Sequence, residues 1–195
     1  MRFVVLTILA LAIAISGGAW SASTMLDRYE GTGTLDVGPW QADRLAGSPD
    51  ADPYSRAQAA RDGNLTLGLA EGMAFRARVD GAGRALRRDC TYRIAGALPP
   101  ARVWTLSAFD EVGRAIRPAA GRPGWLVSSA LMRDDDNAAV VAVSARAQPG
   151  NWLALSGSGG FVLALTLYDT PASTAGGATD VAMPLIERTG CAVDG

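Results

Sequence analysis

The stretch that decides the fold runs from Cys90 to Gly113 and reads CTYRIAGALPPARVWTLSAFDEVG. Apolar and polar residues alternate on both sides of the Pro-Pro pair, in residues 90–94 and again in residues 103–109. A period of two is typical of a strand that buries one face. The stretch therefore predicts a hairpin-like core element of two strands joined by a Pro-Pro corner and closed by a turn. The side chains predicted to face the core are Cys90, Tyr92, Ile94, Trp104, Leu106 and Ala108.

Beyond this element, the same alternation recurs in residues 73–79, 138–145 and 161–168, and residues 125–131 and 181–188 are further strand-like segments. Turns rich in Gly, Pro and Asp separate these segments, and no internal repeat or heptad is visible. Eight or so short strands with regular turns predict an all-β fold, an antiparallel β-sandwich or jelly roll. One short helix is predicted over residues 53–62, because Asp52 suits the N-cap and Pro53 the first helical position.

The N-terminus carries a targeting signal. Arg2 is followed by residues 3–15, in which Thr7 alone is polar, and one positive charge before an apolar run is typical of export. Two interpretations stay open: a cleaved signal peptide, or an uncleaved anchor of about 20 residues with Trp20 at the membrane interface. Both place the following residues outside the cytoplasm. We expect a bacterial inner-membrane, single-pass protein with a periplasmic domain, or else a protein secreted to the periplasm.

The expected organisation is a membrane anchor or signal peptide over residues 1–22, a tether over 23–51 and one domain over 52–195. Export also makes the two cysteines informative, since paired cysteines in an oxidising compartment usually form a disulfide. Cys90 and Cys191 would then close a loop of about 100 residues. A free reactive thiol is the alternative, but the chain has no His and no Lys to activate one.

Composition excludes several classes of function. The net charge is −1 without a basic stripe, which argues against nucleic acid as a partner. The absence of His excludes a Ser-His-Asp triad and any zinc site that uses imidazole. Residues 134–137 read Asp-Asp-Asp-Asn and offer oxygen ligands for Ca²⁺, but they lack the spacing of an EF-hand loop, so a solvated turn is favoured. No cofactor and no metal site are predicted.

Aromatic and charged residues suggest a ligand groove. Aromatic rings at the rim of a sandwich stack on sugars or apolar ligands, and a carboxylate beside guanidinium groups binds polar ones. Each candidate also has a structural interpretation: Trp104 shares a face with core residues, and Glu71 can form an ion pair with Arg76 or Arg78. The candidate ligand-binding residues are Tyr54, Arg56, Glu71, Tyr92, Trp104 and Trp152.

Several short matches occur in a fixed order along the chain. They are Gly38-Pro39-Trp40, Asp52 to Ala57, Glu71 with Phe75, Tyr92 to Ile94, Leu98 to Leu106, Asn151 to Leu153, Leu165 to Tyr168 and Pro184 to Ile186. With these pieces the chain resembles the DUF1214 family, in particular its short bacterial form with one N-terminal hydrophobic segment. The resemblance implies a jelly-roll β-sandwich and, as a partner, a DUF1254-type domain. It implies no activity.

Two functions from different classes follow as hypotheses. The first is a non-catalytic accessory or binding module of the cell envelope that works with a partner protein or a glycan. The second is an enzyme that acts on an envelope or carbohydrate substrate through Glu71 and Asp110, assisted by Arg56. An enzyme of this kind requires two carboxylates that converge in one cleft.

Overall fold

The structure is a computed structural model. It describes residues 2–28, 33–62, 66–68, 70–134, 138–171 and 181–192. This part of the chain contains two α-helices, ten strands and a 3₁₀ turn at Ser128–Ala130. The helices are α1 (Arg2–Arg28) and α2 (Pro53–Asp62). The strands are β1 (Thr34–Val37), β2 (Trp40–Asp43), β3 (Gly72–Ala77), β4 (Cys90–Ala95), β5 (Val103–Phe109), β6 (Trp125–Val127), β7 (Val141–Ser144), β8 (Asn151–Ala154), β9 (Val162–Tyr168) and β10 (Leu185–Cys191).

The strands form two sheets over one core. The larger sheet has the order β1-β2-β3-β9-β5-β6, and the smaller sheet has the order β10-β4-β7-β8. Buried residues of both sheets belong to one hydrophobic cluster, which includes Phe75, Leu106 and Leu165 from the larger sheet and Tyr92 and Val143 from the smaller. The prediction of a mostly β fold is therefore confirmed.

The stretch from Cys90 to Gly113 does form two strands with the predicted buried faces. Alternate residues of β4 and β5 are buried, from Cys90 to Ala108. The hairpin-like arrangement is wrong, however, because β4 pairs with β7 and β10 whereas β5 pairs with β6 and β9. The Pro-Pro corner carries the chain from one sheet to the other. Proline donates no backbone hydrogen bond, so it suits a crossing between sheets.

The pairing of β7 with β8 is parallel, which departs from the expected antiparallel order. Only residues 145–150 connect the two strands, although parallel neighbours usually need a longer crossover. The side chain of Asn151 stabilises the region before β7: it accepts a hydrogen bond from the Met132 amide at 2.8 Å and donates to the carbonyls of Met132 and Val140. Periodicity alone cannot reveal this direction, because parallel and antiparallel strands alternate alike.

The predicted helix over residues 53–62 is confirmed as α2. Asp52 accepts hydrogen bonds from the amides of Tyr54 and Ser55 at 2.9 and 3.0 Å, as an N-cap does.

Part of the expected tether belongs to the larger sheet, because residues 34–43 form the β1–β2 hairpin. Trp40 is fully buried there and donates from its indole N–H to the Pro184 carbonyl at 2.7 Å.

Helix α1 is long and apolar enough to span a membrane from Arg2 to Leu26, and none of it is buried against the rest of the chain. Its C-terminal end lies near α2, where the side-chain amide of Gln58 donates to the Leu26 carbonyl. Ser55 of α2 in turn donates to the Asp43 carboxylate at the end of β2. The helix therefore joins the domain at the end of the larger sheet where β2 finishes.

The predicted disulfide is confirmed. Cys90 and Cys191 are opposite one another in the β4–β10 pair, and they are linked across 101 residues. Their Cα atoms are 3.8 Å apart, within the roughly 7 Å limit for a bridge. The bond ties the edge strand β10 to the core strand β4.

Candidate functional site

The six predicted ligand-binding residues do not line a common groove. Tyr54 and Arg56 lie on the exposed side of α2, and Glu71 is exposed at the turn before β3. Tyr92 and Trp104 are buried in the core, at 0% and 7% exposure. Trp152 is half-buried, and the Arg122 guanidinium lies over its ring at 5.9 Å. A fully buried ring cannot contribute to an open surface, so Tyr92 acts as scaffold.

Tyr92 stands beside the one strongly buried carboxylate among the described residues. Its hydroxyl accepts a hydrogen bond from the Arg87 amide at 2.8 Å, and its ring meets Phe161 edge to face. The Arg188 guanidinium lies over the same ring at 5.5 Å. Arg188 also forms an ion pair with Asp80, with Nε 3.1 Å from Oδ2, and the Asp80 side chain is only 1% exposed. This ion pair links β10 to the turn after β3.

Asp80 begins a turn that occurs twice in the chain. Residues 80–86 and 110–116 both read Asp-x-x-Gly-Arg-Ala followed by Leu or Ile. In each turn Oδ1 of the Asp accepts hydrogen bonds from two backbone amides, those of the second and fourth residues after the Asp. Oδ2 accepts a hydrogen bond from Nε of the Arg, which is that fourth residue. The glycines, Gly83 and Gly113, have positive φ angles of 77° and 84°. This repeat was not predicted from the sequence, although the shared pattern of the two seven-residue segments is visible there.

The two turns lie side by side at one end of the larger sheet. Strands β3 and β5 flank β9 and run in the same direction, so both finish where β9 begins. The Asp80 turn follows β3 and the Asp110 turn follows β5. Glu71, in contrast, directly precedes β3 and lies where β9 ends. We call the end with the two turns the distal end, because α1 and α2 join the domain at the other.

This topology separates the two carboxylates proposed for catalysis. Glu71 and Asp110 lie at opposite ends of β9, which has seven residues. At about 3.3 Å per residue the two ends are roughly 20 Å apart. A pair of carboxylates that acts on one glycosidic bond needs a separation of about 5–10 Å. Glu71 and Asp110 therefore cannot act together on one bond.

Local hydrogen bonds also fix both carboxylates. Glu71 accepts a hydrogen bond from the Gly68 amide at 2.9 Å within its own turn. For Asp110, the backbone hydrogen bond from Arg114 and the Arg114 guanidinium lower the pKa of the carboxyl from its ordinary value. The Arg87 side chain lowers the pKa of Asp89 in the same way. Burial by itself raises the pKa of Asp80, but the amides of Arg84 and Ala82 and the nearby arginine charges outweigh it and lower the pKa.

The lowered pKa values of Asp80, Asp89 and Asp110 predict how the stability of the fold depends on pH. A carboxyl whose pKa is lower in the folded than in the unfolded protein stabilises the fold above its unfolded pKa and loses that contribution as the pH falls through the folded value. The free energy of unfolding should therefore be level above about pH 5 and should fall progressively below it. Urea unfolding at a series of pH values measures this. Asp80→Asn should flatten the acid limb, and an unchanged acid limb would contradict the assignment to Asp80.

A depression opens beside the Asp110 turn at the distal end. It has a volume of about 440 Å³ and is lined by Arg88, Asp110, Arg114, Ala115, Ile116, Arg117 and Ser156. The second cavity, between the sheets, has apolar walls that include Trp40 and Trp104, with room for about 10 Å³. The distal depression is thus the larger of the two, and its polar lining is mostly cationic.

The described residues hold no cluster of three or more acidic or cysteine side chains that could bind a metal ion. Of the Asp-rich run considered for Ca²⁺, only Asp134 is described, and its amide donates to the Ala138 carbonyl at 2.9 Å. Residues 135–137 lie outside the described part of the chain.

With this geometry in place, comparison with known proteins identifies the family. Residues 71–172, just over half of the chain, match the family described as "Protein of unknown function (DUF1214)". The chain belongs to the DUF1214 family. The matched region of this DUF1214 protein begins at Glu71 and includes β3 to β9, so it contains both Asp turns and the distal depression. No curated protein matches the sequence.

One solved structure supports the fold of the DUF1214 protein. The crystal structure of the VPA0106 protein from Vibrio parahaemolyticus is similar, with a TM-score of 0.59 and 17% sequence identity over 91% of this chain. A putative uncharacterized protein from Burkholderia cenocepacia is also similar, with a TM-score of 0.43 and 18% identity over the same share. The chain spans 44% of the Vibrio protein and 51% of the Burkholderia protein. At these identities the likeness concerns the fold alone.

Proposed function

We propose that this DUF1214 protein is a non-catalytic accessory or binding module, held at the periplasmic face of the inner membrane by α1. The observation that carries the proposal is the exposure of α1. Its apolar side chains from residues 3–15 have no partner in the described structure, and a helix that is apolar all round needs a membrane or another protein to cover it. The disulfide supports an oxidising compartment.

The arrangement of the carboxylates favours binding over catalysis. Hydrogen bonds from backbone amides and arginine side chains, together with nearby arginine charges, lower the pKa values of Asp80, Asp89 and Asp110, whereas a general acid requires a raised pKa. The enzyme hypothesis also loses its proposed pair, since Glu71 and Asp110 lie at opposite ends of a strand. We propose another envelope protein as the partner, with a DUF1254-type domain as the first candidate, or a glycan.

Two experiments test this proposal: one measures the membrane topology of the protein, and the other captures its partner. A periplasm-dependent reporter enzyme fused after Gly195 should be active, and the full-length protein should stay in the membrane fraction after alkaline carbonate extraction. The intact mass then distinguishes a retained anchor from a cleaved signal peptide. A reporter that is active only in its cytoplasmic form would overturn the proposal. Crosslinking in intact cells, followed by purification from the membrane, should recover the same envelope component repeatedly.

A further inference from the structure

We propose that the distal depression of this DUF1214 protein is a binding site for a phosphate group carried by a ligand in the periplasm. The proposal rests on the binding role given above and specifies its ligand. Three arginines line the depression, Arg88, Arg114 and Arg117, against one aspartate. Its volume of about 440 Å³ falls within the range of about 300–1,000 Å³ that small-molecule sites occupy.

Two of the three guanidinium groups are held in place by the fold. Arg88 donates from Nε to the Gly160 carbonyl at 3.2 Å and from Nη1 to the Ser156 carbonyl at 3.3 Å. Gly157 makes room for it: a Cβ atom at that position would lie 3.1 Å from Nη1, and its φ of 74° favours glycine. The loop over residues 156–160 thus holds Arg88 in the lining of the depression, with Nη2 left for a ligand.

Arg114 is oriented by its own turn. Its Nε donates to Asp110 Oδ2 at 2.8 Å, so the carboxylate fixes the guanidinium plane while both terminal nitrogens stay available. The side chain is 80% exposed. Asp110 therefore serves Arg114 as a positioning residue and neutralises one of the three positive charges. A net excess of two charges remains over the depression.

Arg117 supplies a guanidinium without an assigned role in the described structure. Its side chain is exposed and makes no hydrogen bond or ion pair with a described residue, and its carbonyl accepts from the Ser156 hydroxyl at 3.0 Å. The three arginines thus come from three segments: the residues before β4, the Asp110 turn and the residues after that turn. One guanidinium satisfies a carboxylate, as Arg114 satisfies Asp110, whereas a phosphate presents several oxygens and suits three.

The position of the site favours a ligand that is not part of the same membrane. The anchor α1 joins the domain near Asp43 and α2, at the opposite end of β3 and β9 from the depression. Roughly 20 Å of sheet separates the two ends. A soluble phosphate ester or a phosphorylated saccharide is therefore the source we propose, in preference to a lipid headgroup beside the anchor.

Calorimetry on the full-length protein in neutral detergent tests this site, with inorganic phosphate and glycerol phosphate as probes at constant ionic strength. Wild type should bind both. Arg114→Gln and Arg117→Gln should each weaken binding about tenfold, which corresponds to the loss of one charge-assisted contact. Arg84→Gln is the matched control, because Arg84 has the place of Arg114 in the other turn, outside the depression; it should leave affinity unchanged.

Two outcomes overturn the proposal: wild type binds neither probe, or Arg84→Gln weakens binding as much as Arg117→Gln does. A second arm uses protein in phosphatidylcholine nanodiscs mixed with phosphatidylglycerol vesicles. Vesicle capture that depends on Arg114 and Arg117, without binding of glycerol phosphate, would assign the site to lipid and overturn the proposed soluble source. Purified protein is used throughout, so a failure here is distinguishable from a failure of the topology or partner experiments.

Discussion

Replacing both cysteines, Cys90→Ala with Cys191→Ala, is expected to lower the free energy of unfolding by about 3–5 kcal/mol. The bridge closes 101 residues of chain, and the chain-entropy model gives about 4.7 kcal/mol for a loop of that length. Strand β10 is an edge strand with one fully buried residue, Ile186, so the bridge adds a covalent constraint to its pairing with β4 and to the Arg188–Asp80 ion pair. Urea unfolding of the full-length protein in neutral detergent, followed by tryptophan fluorescence, measures the loss.

Reduction provides the control for this prediction. A phosphine reductant should shift the unfolding of wild type to lower urea and should leave the double variant unchanged. Alkylation before and after reduction should show no free thiol in the oxidised protein and two in the reduced one, since the structure contains no unpaired cysteine. If oxidised wild type and the double variant unfold at the same urea concentration, the bridge contributes no stability.

Asp80→Asn is expected to destabilise the protein by about 3 kcal/mol. Asparagine preserves the size of the side chain and an oxygen that accepts from the amides of Ala82 and Arg84. It removes the negative charge that faces Arg188, whose side chain is only 13% exposed. An uncompensated charge in a buried site is costly because water no longer solvates it. The same urea experiment measures the change at neutral pH.

The repeated turn supplies a matched control. Asp110 makes the same local contacts, but its partner Arg114 is 80% exposed, and no ion pair between Asp110 and a second arginine is found among the described residues. Asp110→Asn should therefore cost much less than Asp80→Asn, because water solvates the arginine that is left behind. Equal losses from the two substitutions would mean that the turn itself, and not the ion pair to β10, stabilises the protein.

Much of the fold could be predicted from local patterns. Alternation identified the buried faces of β4 and β5, and the capping signal at Asp52 and Pro53 identified α2. The pairing of strands could not be predicted in this way. Alternation with a period of two predicts that the side chains of Tyr92 and Trp104 point inward. It does not predict that β4 and β5 belong to different sheets. The parallel β7–β8 pair was missed for the same reason.

The candidate site, like the fold, could be predicted from the sequence only in part. Two of the four aromatic residues expected to line a groove, Tyr92 and Trp104, belong to the core, because a large ring on the inward face of a strand is buried. The arginines of the distal depression are not neighbours in sequence: Arg88 precedes β4, while Arg114 and Arg117 follow β5. The Asp-x-x-Gly-Arg-Ala repeat was the one sequence signal for these arginines, and it identifies Arg114 only.

Four properties of this protein could be predicted before its structure was known: the apolar N-terminal helix, the mostly β fold, the disulfide and the membership in the DUF1214 family. The first three depend on composition, short-range periodicity or a count of cysteines, and the family membership depends on short motifs in a fixed order. What the two turns with the shared Asp-x-x-Gly-Arg-Ala pattern do depends on the tertiary structure. The charge on Asp80 is buried against Arg188 from the last strand, while its counterpart Asp110 orients an arginine at an open depression. Burial and distant partners are properties of the folded chain, so the same seven-residue pattern serves stability in one place and a proposed ligand in the other.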